Sequence, residues 1–192
     1  ALPGRPVLLK WMREDEHAWE PYGSCMVVKM QGDVDAEGNV SAWNHDVWSS
    51  THSGRPRPLE SASDLLSARH LNPAIPTPTR RPGKGSHSGI HRNADPLYTF
   101  SNRRVVKHFV PDSPLRTSAL RGLGSSTNVF AIESFMDELA LAANTDPVEF
   151  RLRHLDDERA KDVIRAAADK AGWDPTAPER GAEKGLGRGL GF

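Results

Sequence analysis

A single cysteine, Cys25, leaves the 192-residue chain without an internal disulfide and without a cysteine-ligated metal or iron–sulfur centre of its own. Redox compartment is therefore left open. Long apolar runs are missing too: nothing approaches the roughly 20 consecutive residues that cross a bilayer, so no membrane span is expected. The opening "ALPGRPVLLKW" lacks a charged stretch followed by a long apolar core and does not read as a secretory signal. Excess charge of one sign is absent, since Lys+Arg and Asp+Glu both count 25. Binding of nucleic acid by bulk electrostatics needs a basic face, so nucleic acid is not an expected partner.

What the chain does contain falls into three regions, with boundaries at 1–53, 54–102 and 103–192. The first reads as strands. "PVLLKWMRED" is a short apolar run with β-branched and aromatic residues, and "CMVVKMQGDVDAEGNVSAWNHDVW" reads as two strands joined at "DAEGN", where Gly38 and Asn39 suit positive φ. The second is rich in Pro, Gly, Ser and Arg. "SASDLLSARHL" predicts one short helix with Ser61 or Ser63 as N-cap, followed by an irregular stretch through "NPAIPTPTRRPGKGSHSG". Structureless loops of that length are uncommon in a compact domain and tend to be functional.

The third region opens with a strand, "RRVVKHFVP", ended by Pro111, and continues as three helices. In the first of these, Val129, Ile132, Met136, Leu139 and Ala143 recur at helical steps with Phe135 beside them, Glu133, Asp137 and Glu138 fall mostly opposite, and Ser126, Thr127 and Asn128 offer N-caps. The second starts at Asp146 as N-cap with Pro147 at its first position and Glu149 closing a capping box; Val148, Leu152 and Leu155 form its stripe. The third starts near Asp157, is predicted to bury Ala160, Val163, Ile164, Ala167 and Ala171, and ends at Gly172 in a left-handed conformation. The predicted fold class is α+β: a mixed sheet with a β-hairpin, a long Pro/Gly-rich loop and a C-terminal run of three helices.

Between the last strand and the first long helix lies "TSALRGLGSS". Gly122 and Gly124 let a backbone turn sharply or approach a ligand closely, and N–H groups at a helix start favour anions. A tight turn joining strand to helix explains the same residues. The segment matches neither the dinucleotide glycine pattern nor a P-loop. Arg116 and Arg121 lie five residues apart here, and either could hold a carboxylate or phosphate through its planar fork; the alternative is a surface ion pair. Arg121, flanked by Leu120 and Leu123, is expected to be the more buried of the two. His87 and His91 lie four apart in a Ser/Gly loop with no third ligand, which is not a metal site. The acids of "WMREDEHAWEP" read as a solvated bend, and the basic "TRRPGKG" lacks the aromatic platforms of a nucleic-acid surface.

Taken together, "RPVLLKWMREDEHAWEPYG", "AWNHDVWSSTHS" and "RNADPLYTFSNRRV…PLRTSALRGLG…NVFAIESFMDELA…DPVEFRLRHL" resemble the molybdopterin-binding large subunit of the xanthine dehydrogenase and aldehyde oxidoreductase family, in its bacterial isoquinoline- and nicotinate-oxidoreductase-like branch. The resemblance covers nearly the whole chain and rests on order and spacing. It implies an internal slice of a larger molybdenum-binding domain, both ends being cuts through a longer polypeptide. A family loop of the form Ala-Phe-Arg-Gly-Phe-Gly lies over the molybdenum, and Ala119, Leu120, Arg121, Gly122, Leu123 and Gly124 match it. By that match the first three and the two glycines contact the cofactor, the Arg121 backbone lies in the outer environment of the metal, and Leu123 lines the substrate pocket. Many members carry an aromatic at the Leu123 position, which makes flat heteroaromatic substrates less certain here than small aldehydes. Arg92 is the counterpart of a substrate-orienting arginine.

The resemblance further implies oxidative hydroxylation of an aldehyde or N-heteroaromatic carbon with oxygen from water. It implies molybdopterin, in its cytosine dinucleotide form, with molybdenum; a small [2Fe-2S] partner subunit that carries the iron–sulfur clusters; and a cytochrome as a further electron acceptor. The family's general-base glutamate is expected beyond Phe192, so no residue here is assigned as catalytic and the isolated chain is expected to be inactive. The competing reading is a non-catalytic α+β scaffold that contacts a partner through residues 72–92.

Overall fold

The computed structural model describes residues 3–17, 19–54, 66–76 and 79–174. The alternation of apolar and polar residues after Cys25 produces the hairpin. Strand β2 (Met26–Val34) pairs antiparallel with β3 (Val40–Ser49), Val28 opposite Val47. Its turn is held by Asp35, whose Oδ1 accepts the Glu37 and Asn39 amides at 3.1 and 2.7 Å, an arrangement that asparagine and aspartate side chains favour. Only Gly38 takes positive φ there, at 78°; Asn39 does not need it because the Asp35 carboxylate fixes its amide.

Strand β4 (Arg103–Phe109) runs parallel to β3, from Trp43 opposite Arg103 to Ser49 opposite Phe109, giving the sheet order β2-β3-β4. A parallel neighbour needs a long crossover, and residues 50–102 supply it. Within that crossover the residues Leu66–His70 and Gly89–His91 form single 3-10 turns and the remaining described residues are irregular. The expected caps Ser61 and Ser63 lie outside the described residues. A second ladder, only two residues long, pairs β1 (Tyr22–Gly23) parallel with β5 (Thr117–Ser118).

"PVLLKWMRED" is not a strand. Residues 6–12 have no regular structure and Arg13–Glu16 make one helical turn, α1. A strand needs a partner for its backbone groups, and among the described residues none lies alongside. Val7, Leu8, Leu9, Trp11 and Met12 are all exposed.

Helix α2 (Ser125–Ala142) packs on one face of the sheet, α3 is Pro147–Arg153 and α4 is Glu158–Ala171. The core joins Val40, Trp43, Tyr98 and Phe100 to Ile132, Met136, Leu139, Ala140, Phe150 and Leu155. Trp43 stacks on Phe100 with ring centroids 4.7 Å apart. The apolar stripe of α2 is shifted relative to the prediction: Val129 is exposed, and Asn128 and Ala140 are buried with Ile132, Met136 and Leu139. Glu133 and Asp137 are not a solvated face either. They clasp the buried guanidinium of Arg151, Nε to Glu133 Oε2 at 3.0 Å and Nη1 to Asp137 Oδ1 at 2.7 Å, while the Tyr98 hydroxyl donates to the same Glu133 oxygen at 2.9 Å. Burial and the Glu133 charge push the Tyr98 pKa up.

Asp146 caps α3 through Oδ1, which accepts the Val148 and Glu149 amides at 3.0 Å each; the side chain of Glu149 makes no reciprocal bond among the described residues. Its Oδ2 accepts from Trp173 Nε1 at 2.8 Å. Asp157 caps α4, and Gly172 ends it at φ 61° and ψ 47°. The buried side of α4 is Ala160, Ile164 and Ala168, a four-residue step along one face; Val163, Ala167 and Ala171 lie one face over and are exposed.

Candidate functional site

Strand β5 arrives at the turn anchored in hydroxyl groups. Thr117 Oγ1 donates to Thr51 O at 2.8 Å and lies 3.2 Å from Ser50 Oγ, while Ser24 Oγ donates to Thr51 O at 2.6 Å. Gly54 sits so close to the Thr117 carbonyl that no Cβ fits. The chain then turns between Leu120 and Ser125: Leu123 N donates to Leu120 O at 3.1 Å and Ser125 N to Gly122 O at 2.9 Å. Two successive residues are left-handed, Gly122 at φ 87° and Leu123 at φ 55°. For leucine this conformation is strained.

The turn is bound to a distant stretch of chain. Gly124 N donates to Gly89 O at 3.1 Å, and a Cβ on Gly124 would run into the carbonyls of Ile90 and Gly89. One turn further, Asn128 Nδ2 donates to Ile90 O at 2.8 Å and to Arg92 O at 2.9 Å. With its donors engaged, Asn128 turns Oδ1 toward His45 Nε2, 3.2 Å away, so Nε2 carries the imidazole proton. Burial lowers the His45 pKa, opposed by the Asn128 bond and Asp46, so the ring is held neutral. Asn128 is therefore no N-cap. Gly124 occupies the cap position of α2, with no side-chain cap bond.

The positions singled out from sequence are distributed as follows. Gly124 is buried, Ala119 and Leu123 are half-buried, and Leu120, Arg121 and Gly122 are exposed. Arg121 is thus not the buried arginine that its flanking leucines suggest; its side chain has no hydrogen-bond or ion-pair partner among the described residues. The leucines do not enclose it, because Leu120 leans on Gly23 and is itself 59% exposed. Arg92 is half-buried, its guanidinium donating to His87 O at 3.1 Å. The Asn128 and Gly124 bonds thus bring Arg92 and the 119–124 turn together through their backbones. His91 uses both ring nitrogens within the chain, Nε2 on Gly85 O at 2.7 Å and Nδ1 on Lys107 Nζ at 3.2 Å. Among the described residues no three His, Cys, Asp or Glu side chains converge on a metal position.

Space around the turn tests whether a bulky group fits. A Cβ placed on Gly122 meets nothing within 4 Å. Gly122 is therefore open on its side-chain side, while Gly124 and Asn128 fix the end of the turn to residues 89–92. Two further buried imidazole atoms have no partner among the described residues, Nδ1 of His45 and Nδ1 of His52. His52 shares its Nε2 with Ser49 Oγ at 3.3 Å, and burial lowers its pKa.

Residues 78–155 match the molybdopterin cofactor-binding domain family. The chain is 37% identical over 191 residues to a nicotinate dehydrogenase subunit of Pseudomonas putida, a match covering 98% of this chain and 15% of that protein. It is 27% identical over 186 residues to the beta subunit of isoquinoline 1-oxidoreductase of Brevundimonas diminuta, covering 96% of this chain and 21% of the relative. It is 26% identical over 153 residues to the aldehyde oxidoreductase molybdenum-binding subunit PaoC of Escherichia coli, covering 73% and 17%. The chain thus spans about a fifth or less of the length of each of these relatives. No described helix is long and apolar enough to cross a membrane.

Proposed function

Because this chain belongs to the molybdopterin-binding large subunits of the xanthine dehydrogenase and aldehyde oxidoreductase family, we propose that its 119–124 turn is a lip over a molybdenum–pterin group in the complete subunit. The observation that carries this reading is the left-handed pair Gly122 and Leu123, open to solvent at Gly122 and tied down at Gly124. Ala119, Leu120, Arg121, Gly122 and Gly124 would hold the group, with the Arg121 backbone on the side of the metal. The group, in its cytosine dinucleotide form, supplies a two-electron sink for hydroxylation of an aldehyde or N-heteroaromatic carbon with oxygen from water.

The chain's own residues position rather than react. Asn128 and Gly124 fix the turn against residues 89–92. Leu123 lines the substrate space and keeps water out of it. Arg92 orients the substrate. Positioning of this kind is useful only when the supporting contacts are tight. In the complete enzyme a small [2Fe-2S] partner subunit would carry the iron–sulfur clusters, and a cytochrome would be a further acceptor. The names of the relatives, which are subunits of multisubunit enzymes acting on nicotinate, isoquinoline and aldehydes, support the substrate class.

Molybdenum and pterin content of the assembled enzyme tests the reading. Wild-type protein is expected to hold the metal near stoichiometry. Gly122→Asn, which puts a side chain on the open side of the turn and tolerates the positive φ of 87°, is expected to lose most of it while melting close to wild type. Equal metal in both proteins contradicts a cofactor-contacting turn.

A further inference from the structure

The inward face of β3 carries Trp43, His45, Val47 and Ser49, all of them buried. A polar ring between Trp43 and Val47 needs a reason. His45 is fully buried and its ring makes one hydrogen bond among the described residues, through Nε2 to Asn128 Oδ1 at 3.2 Å; Nδ1 has no partner there. A buried imidazole with half of its polar capacity unmet is a poor way to fill a core. An apolar side chain of similar size would pack without that cost, so the bond to Asn128 is what His45 contributes.

That bond has a definite polarity. The Asn128 amide faces two carbonyls, Ile90 O at 2.8 Å and Arg92 O at 2.9 Å. Carbonyls only accept, so the NH2 group faces them and Oδ1 faces the imidazole. Turned over, the amide would set its oxygen against two others. The terminal torsion of asparagine is broad and roughly two-fold, and a donor fixed at Oδ1 narrows it.

The two carbonyls belong to one small unit. Gly89–His91 is a single 3-10 turn closed by Arg92 N on Gly89 O at 3.4 Å, and Gly89 O also accepts Gly124 N at 3.1 Å. The 3-10 turn packs against both β3 and α2. Arg92 leaves it with its carbonyl held by Asn128 and its guanidinium on His87 O at 3.1 Å. The placement of Arg92 therefore depends on an amide whose orientation depends on His45.

We infer that His45 is a positioning residue: its Nε2–H orients the Asn128 amide and thereby sets Arg92 and the Gly89 contact of the 119–124 turn. This rests on the hydroxylase reading in one respect only, that Arg92 orients the substrate. The chain of bonds from β3 to Arg92 stands without it.

Two amide side chains separate this role from plain packing. In His45→Gln the amide nitrogen falls near the place of Nε2 and can donate to Asn128. In His45→Asn it falls nearer the place of Nδ1 and cannot. Hydrogen exchange of the assembled enzyme is followed by mass spectrometry over residues 89–94 and 122–128. His45→Gln is expected to exchange there as wild type does, and His45→Asn about tenfold faster, with β2 and α4 unchanged in both. His45→Met has similar bulk and no donor; it is expected to follow His45→Asn and replaces it should that variant unfold. Equal exchange in the Gln and Asn variants, or a Gln variant that does not restore the wild-type rate, overturns the inference. A loss spread over every element, up to unfolding of both His45→Asn and His45→Met, marks a packing role and overturns it too. Molybdenum is assayed on the same samples. Metal-free wild type with the Gln–Asn contrast intact sinks the hydroxylase reading and leaves His45 in this role; stoichiometric metal without the contrast does the reverse.

Discussion

The side-chain amide of Asn128 donates to the carbonyl oxygen of Arg92 at 2.9 Å, and to that of Ile90 at 2.8 Å. One residue in the first turn of α2 therefore sets the position of a segment 36 residues earlier in the chain. Asn128→Ala removes these bonds and the partner of His45 Nε2. Each buried group left unmade costs about 1–3 kcal/mol. Asn128→Asp is expected to do no better, since a carboxylate would face two carbonyls with nothing to donate. Chemical denaturation measures the loss, and hydrogen exchange at the Gly124 amide reports whether the turn has come free of Gly89.

Gly122 and Gly124 answer differently to the same substitution. Gly122→Ala meets open space and carries only the left-handed penalty, about 1 kcal/mol. Gly124→Ala drives a methyl into the carbonyls of Gly89 and Ile90 and is expected to cost about 2–3 kcal/mol through backbone displacement. Denaturation midpoints of the two variants test the order; a larger loss for Gly122→Ala would reverse it.

Arg151 is the electrostatic keystone of the helical layer. Its side chain is 1% exposed and both Glu133 and Asp137 depend on it. Burial works against its charge, while the Asp137 bond and nearby negative groups raise its pKa overall. Removing one partner of a buried pair costs about 3–5 kcal/mol. Arg151→Ala is expected to fall in that range. Arg151→Lys is expected to recover only part, because an ammonium cannot reproduce the fork that serves both acids.

Acid should weaken the fold through its buried imidazoles. His45, His52 and His154 all have pKa values lowered from 6.5, burial being the first cause in each. The unfolded chain takes up these protons near pH 6.5 and the folded chain only at lower pH. Stability is therefore complete above pH 6.5 and falls as pH drops below it, by about 1.4 kcal/mol per pH unit for each proton taken up on unfolding. His154 has the clearest mechanism: Nδ1 donates to Phe150 O at 2.7 Å and Nε2 accepts the Val40 amide at 3.0 Å, a bond that protonation of Nε2 destroys. Urea titrations at pH 7.5 and 5.5 measure the slope, and His154→Gln is expected to flatten it.

Much of this architecture is legible locally. The "DAEGN" turn between alternating strands, Asp146 before Pro147, and Asp157 with Gly172 each specify their element through neighbouring residues alone. Failures occur where the deciding partner is remote. "VLLKW" has strand composition, yet a strand exists only if another lies beside it. Asn128 has the chemistry of a cap; what buries it is a pair of carbonyls 38 and 36 residues away. Glu133 and Asp137 read as solvated until Arg151 arrives from the next helix. His45 alone carried a usable signal, since it shares the inward parity of Trp43 and Val47 on β3. The sharp turn was legible from Gly122 and Gly124, but the exposure of Arg121 depends on where Leu120 finds Gly23 to lean on.

The most direct measurement of the central claim is pulsed electron–nuclear double resonance on the Mo(V) state of the assembled enzyme with deuterated leucine. The account predicts a deuterium coupling to the metal that weakens in Leu123→Met, which removes the label from that position and leaves the label of Leu120. Spectra that are identical in the two proteins would contradict it.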